Sequence, residues 1–234
     1  MRAASVRHPP SPVRLGFTLL ELLIAIGVIA LMLAILFPAL ARARNSSRAM
    51  VGLSNLRQIA AISAQYASDF DHKSPALGHP WTALPFWALV VQDRARADTT
   101  SANPSYAGPS LLRDPLCAAH YGRDMERCYA ANATGRAGLP GDLDNFDTDP
   151  VHIHLDRIRT PSELPWYVSS AIATTTTNGP PPTRTAGALD LRNPVHLDQR
   201  LARFAPGGAL LYTAFDGSAA TMRDLPAAWS TSLP

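Results

Sequence analysis

From Phe17 to Ala41 the chain carries 25 residues with a single charge, Glu21, and this run limits every fold the chain can adopt. A helix of that length covers about 37 Å at roughly 1.5 Å per residue, enough to cross the hydrocarbon core of a bilayer. Leu, Ile and Ala dominate, and beside Glu21 the polar or irregular positions are only Thr18, Gly27 and Pro38. Continuous apolarity around every face argues against the core helix of a soluble protein, which would show a polar stripe. A secretory signal peptide is the sharper competitor, because Arg2, Arg7 and Arg14 precede the run and Ala39-Leu40-Ala41 is a small-x-small cleavage site. Cleavage there would release a soluble protein beginning at Arg42. The run is longer than the roughly 7 to 15 apolar residues of such peptides, and a carboxylate sits in its first turn. A buried acid costs up to about 3 kcal/mol at a membrane helix centre, less near the interface and beside the positive end of the helix dipole. Glu21 is therefore either a tolerated interfacial residue or one with a task.

The charge balance describes the same end of the molecule. Lys and Arg number 21 against 18 Asp and Glu, a formal net charge of +3, and no basic cluster is interleaved with aromatic residues. This excludes a nucleic-acid partner as the leading reading. Arg42, Arg44, Arg48 and Arg57 follow the apolar run and compete with the three leading arginines, so the positive-inside rule alone leaves orientation nearly tied. Cys117 and Cys128 are the only cysteines, which excludes a four-thiolate zinc site and leaves a disulfide, two free thiols or a mixed metal site. Outside the cytoplasm the disulfide leads, and closing so short a loop would contribute about 3 kcal/mol.

Gly16-Phe17-Thr18-Leu19-Leu20-Glu21, followed by the apolar helix, resembles the cleavage and methylation motif of type IV prepilins and type II secretion pseudopilins. The resemblance implies a prepilin peptidase that cuts after Gly16 and methylates the new terminal residue, Phe17. It divides the chain into a leader (1–16), a transmembrane helix (17–41), an amphipathic continuation (42–72) and a periplasmic head (73–234). The family's glutamate maps onto Glu21, which would pair with the terminal amine of a neighbouring pilin or pseudopilin subunit, and its helix-kinking proline maps onto Pro38. Pro38 lacks an amide hydrogen and crowds the preceding turn, so a bend or local melting of the helix is expected there. The resemblance also breaks the tie in orientation: a single pass of the bacterial inner membrane, leader in the cytoplasm, head in the periplasm, with assembly into a periplasmic or extracellular filament. A membrane-tethered or secreted periplasmic ligand-binding module is the alternative.

Beyond the run, Met50, Leu53, Leu56, Ile59 or Ala60, Ser63 and Tyr66 recur every three to four residues, while Arg48, Asn55, Arg57 and Gln58 occupy other faces. The spacing predicts that the helix continues to about Phe70 with this stripe on a core. Asp71 to Pro75 should end it. From Pro75 onward the chain is rich in turn formers, with short apolar pieces at Trp87 to Val91, Val151 to Leu155 and Leu164 to Val168. The fold class is therefore α+β, a loop-rich head with a small antiparallel sheet, and the resemblance implies a pilin-like architecture in which the long helix packs on that head. Val151 to Asp156 alternates and predicts a strand with Val151, Ile153 and Leu155 inward. Thr174 to Thr177 and the following Asn178 to Pro182 read as an exposed, mobile loop. Ala209 to Phe215 and Ser218 to Met222 flank Asp216-Gly217, the signature of a tight hairpin, after a Pro206-Gly207-Gly208 turn. Residues Phe204 to Ser218 are similar to the C-terminal signature of a large family of bacterial pilin-like proteins, with Ala205 in place of its histidine and one extra residue before Asp216. Fragments at Pro115 to Cys117, Tyr129 to Asn132 and Arg159 to Glu163 look like the same family.

Two groups have ligand chemistry. Asp142, Asp144, Asn145, Asp147 and Asp149 place hard oxygens in one loop, as calcium requires, and some pseudopilins that the chain resembles bind calcium in the head. Pro150 stands where an EF-hand loop has its glycine, and a solvated acidic loop is the plainer reading. His152, His154 and Asp156 would share one strand face, a geometry compatible with zinc or copper, or simply the polar side of a half-buried strand. No nucleophile elbow, phosphate loop or HExxH pattern occurs, so no enzyme and no other cofactor is expected.

Overall fold

A computed structural model describes residues 18–78, 83–95, 110–136, 142, 150–172 and 182–234. The leader with Gly16 and Phe17, the loop residues Asp144, Asn145, Asp147 and Asp149, and the tract from 173 to 181 lie outside them. The chain divides into two compact units, Met1–Arg42 and Ala43–Pro234.

Within the first unit, helix α1 (Leu19–Asp69) begins, and its residues up to Arg42 are all exposed in the isolated chain. Leu19 is 81% exposed and Ile35 70%, so no protein surface covers this part. The helix is long and apolar enough to cross a membrane. It is unbroken at Pro38, so the local melting expected there does not occur. What the proline removes is one intrahelical bond, to the carbonyl four residues back at Ala34.

In the second unit, the rest of α1 changes character. Ala49, Gly52, Leu53, Leu56, Ile59, Ala60, Ser63, Tyr66 and Ala67 are buried, one face at helical spacing. Met50, expected in that stripe, is 65% exposed. The small residues Ala49 and Gly52 take the contact instead, since a close approach of helix to sheet needs little side chain there. The helix ends before Pro75. Asp71 and His72 adopt left-handed backbone (φ 53° and 56°), and the His72 amide donates to the Ala67 carbonyl at 2.9 Å. That bond spans a Schellman-type turn, which satisfies carbonyls left open at the helix end.

The head is built on a five-stranded sheet, order β3-β1-β2-β4-β5, from β1 (Tyr129–Asn132), β2 (Pro165–Ser169), β3 (Ala188–Leu189), β4 (Leu210–Ala214) and β5 (Ala219–Met222). It is mixed rather than antiparallel, because β3 runs parallel to β1 while the other pairs are antiparallel. Alternation sorts its side chains. Tyr129, Ala131, Tyr167 and Leu211 share a core with Leu53, Leu56, Ile59 and Ala60 of α1, whereas Ala130, Val168 and Leu210 face a second core with Trp229 and Leu201. Both sheet faces are thus covered, one by α1 and the other by the C-terminal segment and α4 (Pro194–Gln199).

Shorter elements follow local chemistry. Helix α2 (Trp87–Ala95) buries Trp87, whose Nε1 donates to the Gly187 carbonyl at 2.8 Å. Helix α3 (Pro115–Tyr121) starts with Asp114 as N-cap and Pro115 in the first turn, and ends at Gly122 with φ 62°. The hairpin between β4 and β5 closes as expected, by a three-residue loop rather than a two-residue one. The Gly217 amide bonds to the Ala214 carbonyl, the Ala214 amide to Ser218, and Gly217 alone takes positive φ, 85°. The predicted strand at Val151 to Asp156 is not one. Val151 and Ile153 are buried as expected, and their carbonyls accept from Leu77 and Ser74, but Leu155–Arg157 turns into a 3-10 helix and the segment stays outside the sheet.

Candidate functional site

At the start of α1, Thr18 and Glu21 satisfy each other. The Thr18 amide and hydroxyl both donate to Glu21 Oε2 at 2.8 Å, and the Glu21 amide donates to Thr18 Oγ1 at 3.2 Å. This is a capping box, Thr at the N-cap and Glu three residues on, and it closes donors that a helix start otherwise leaves open. The pattern Thr-x-x-Glu was present in the sequence as its signal. Both bonds to the carboxylate fall on Oε2, and Oε1 has no partner among the described residues. The site therefore offers a second carboxylate oxygen on an otherwise apolar helix end.

A second cluster fixes α1 in the head. The Tyr129 hydroxyl donates to the Gly52 carbonyl at 3.3 Å, Asn55 Nδ2 to the Arg113 carbonyl at 2.9 Å, and Ser63 Oγ lies 2.7 Å from Tyr167 Oη. A Cβ on Gly52 would stand 2.5 Å from Leu211 Cδ1 and 3.2 Å from Asp114 Oδ1, so only glycine allows this approach. Asp114 is 1% exposed. Its Oδ1 accepts from the Leu116 amide at 2.9 Å, and its Oδ2 makes no hydrogen bond. Burial pushes its pKa up to about 6, against the backbone amides of Leu116 and Cys117 that favour the charged form. Burial likewise raises Tyr129 and Tyr167. Nothing in the hydrophobic pattern singled out Asp114; the Asp-Pro pair before a short helix was its one signal.

Cys117 and Cys128 come together with Met125 in a small apolar cluster, both fully buried and both free thiols. The fold thus brings the two cysteines of the expected disulfide side by side. With both present as thiols, a hydrogen bond to Cys128 and burial raise the Cys117 pKa.

Of the acidic loop, Asp142 is described, and its carboxylate is engaged by Arg192 in a short ion pair. Arg192 also holds Asp190, with Nη2 2.6 Å from Oδ2. Burial pushes the Asp190 pKa upward, but Arg192 and the Gly135 amide outweigh it and hold it below the usual carboxylate value. A guanidinium therefore occupies the Asp142 carboxylate that the sequence offered to calcium. His152 Nδ1 donates to the Ser74 carbonyl at 2.6 Å, and His154 Nδ1 is 4.0 Å from Asp156 Oδ1. The expected strand gives way to a 3-10 helix at Leu155–Arg157, and His152 is held by backbone rather than by that pair. Among the described residues no three His, Cys, Asp or Glu side chains gather closely enough to hold a metal ion.

Compared with family models, curated proteins and solved structures, the chain matches none.

Proposed function

We propose that this chain is a structural subunit of a type IV pilus-like or type II secretion pseudopilus-like filament, made as a prepilin and matured by cleavage after Gly16. The observation that carries the reading is the division within α1: one continuous helix, Leu19–Asp69, apolar and uncovered in its first part, and packed by one face into a folded head in its second. The head needs only the second part for its core. The first part is left to satisfy its apolar surface in a bilayer, or against the same segment of other subunits once a filament grows.

Glu21 supplies the specific contact in this reading. Cleavage after Gly16 would create an amine at Phe17, and a carboxylate in a low-dielectric setting is strongly favoured to pair with a cation. Its capping bonds use one oxygen, and the second remains for a neighbouring subunit's amine. Glu21→Gln separates the two tasks, because glutamine still completes a capping box but carries no charge. The variant is expected to insert in the membrane normally and to form no filaments, whereas Thr18→Val, which removes the capping hydroxyl and keeps the charge, is expected to assemble. Filaments of Glu21→Gln at wild-type yield would overturn the role. The processing itself is tested by the mass and terminal residue of the mature chain: methylated Phe17 supports it, and a chain beginning at Arg42 refutes it.

A further inference from the structure

A concavity of about 530 Å³ opens on the head where α1 leaves its apolar run, lined by Asn45 and Arg48 of α1, Leu116 and His120 of α3, and Arg203 and Phe204. Among the described residues no acidic one lines it. Neither Arg48 nor Arg203 has a carboxylate partner among the described residues: Arg48 Nη1 donates to Asn45 Oδ1 at 3.3 Å, and Arg203 donates to the Arg223 carbonyl, which fixes its guanidinium without neutralising it. The His120 ring stacks on Phe204 with centroids 4.1 Å apart and planes at 21°, forming a flat apolar wall beside the two cations. Two held but unneutralised guanidinium groups over an apolar wall suit an anion with an attached organic part.

We infer that this concavity is a binding site for the phosphate of an anionic phospholipid headgroup, with Arg48 and Arg203 as its ligands. The inference rests on the membrane-anchored reading above. Along α1, Asn45 and Arg48 follow Ala41 by four and seven residues, about 6 and 10 Å of helical rise. The headgroup layer extends about 5 to 8 Å beyond the hydrocarbon core, and an arginine side chain reaches back over that distance with its charge at the phosphate and its methylenes along the apolar surface. Each such cation near an anionic leaflet contributes about 1 kcal/mol. Bound lipid would hold the head against the membrane before the subunit leaves it.

The full chain, purified in a neutral detergent, is offered equal amounts of phosphatidylglycerol and phosphatidylcholine, and the lipid retained is read by native mass spectrometry. The expected result is a several-fold preference for one phosphatidylglycerol, reduced to parity in R48Q/R203Q and preserved in R57Q, whose parent arginine lies on the same helix and donates to the Ala219 carbonyl at 3.3 Å. Equal retention of the two lipids by the wild-type chain overturns the site, as does an unchanged preference in R48Q/R203Q. If inorganic phosphate protects the fold against heat while phosphatidylglycerol shows no preference, the pocket takes free phosphate and the lipid assignment falls. Should the double variant melt early, R48Q and R203Q read singly carry the same test. Insertion into pure phosphatidylcholine vesicles is measured alongside: its failure would count against the membrane anchor, and its success with no lipid preference would count against this pocket alone.

Discussion

The two parts of α1 share a backbone and differ in what their side chains specify. Between Leu22 and Ala41, past the capping pair Thr18 and Glu21, the sequence could be rotated about the helix axis with little consequence, because every face is apolar and every residue exposed in the isolated chain. Between Ala49 and Ala67 rotation by one residue would be ruinous: Leu56 and Ile59 are fully buried, Gly52 leaves no room for a Cβ beside Leu211, and Asn55, Arg57 and Gln58 on the neighbouring face are polar. A uniform helix selects a solvent; a patterned one selects a partner surface. In one continuous element the chain does both.

Matched substitutions on either side of Arg42 would break or sharpen this contrast, beginning with the largest effect. Leu56→Ala is expected to cost about 3 kcal/mol in the denaturant unfolding of the head, whereas Leu31→Ala, at a position 65% exposed, should leave that unfolding unchanged. A similar loss from both would mean that the first part of α1 also belongs to the folded core. Gly52→Val should cost about 2 kcal/mol by forcing Leu211 and Asp114 away from the helix, while Gly27→Val, with nothing near its added Cβ, should not affect the head.

Asp114 gives a pH-dependent test. Its pKa rises from 3.8 to about 6 on folding, so between those values the folded chain holds a proton that the unfolded chain has lost. Stability should fall as pH rises through that window and stay low above it. Asp114→Asn retains an N-cap acceptor, and is expected to add about 1 to 2 kcal/mol at pH 7.5 and nothing at pH 4, read from thermal melts at the two pH values. A variant less stable than wild type at pH 7.5 would show that the carboxylate's hydrogen bond outweighs its burial. Smallest is Ser63→Ala, about 1 kcal/mol, from leaving the buried Tyr167 hydroxyl without its partner.

What was legible in the sequence is what depends on neighbours along the chain. The apolar run, the helix to about Asp69 and the hairpin at Gly217 are set within a few residues, and each carries its own pattern; the capping box at Thr18 and Glu21 had such a pattern and went unread. Alternation at Val151 to Leu155 reported burial correctly but not pairing, because the same period serves any extended segment whose partner is irregular. Strand β3 is two residues long and parallel to β1, so it presents no periodicity to read. The Met50 position failed for a different reason: hydrophobic spacing weighs large residues, and the tightest contact on α1 is made by small ones. Asp142 and Arg192 stand 50 positions apart, and only the folded chain shows that this acid of the loop is paired with a guanidinium. Arg48 and Arg203 likewise line one concavity only in the folded chain, 155 positions apart by the difference of their numbers.

The buried sulfurs of Cys117 and Cys128 make the head a record of where it folded. Both are sealed from solvent, so oxidants and reductants of ordinary size have little access once the core has closed. Whatever bond state the pair carries at that moment is kept. Counting the two thiols in denatured, freshly isolated protein would thus read out the redox condition of the compartment of folding.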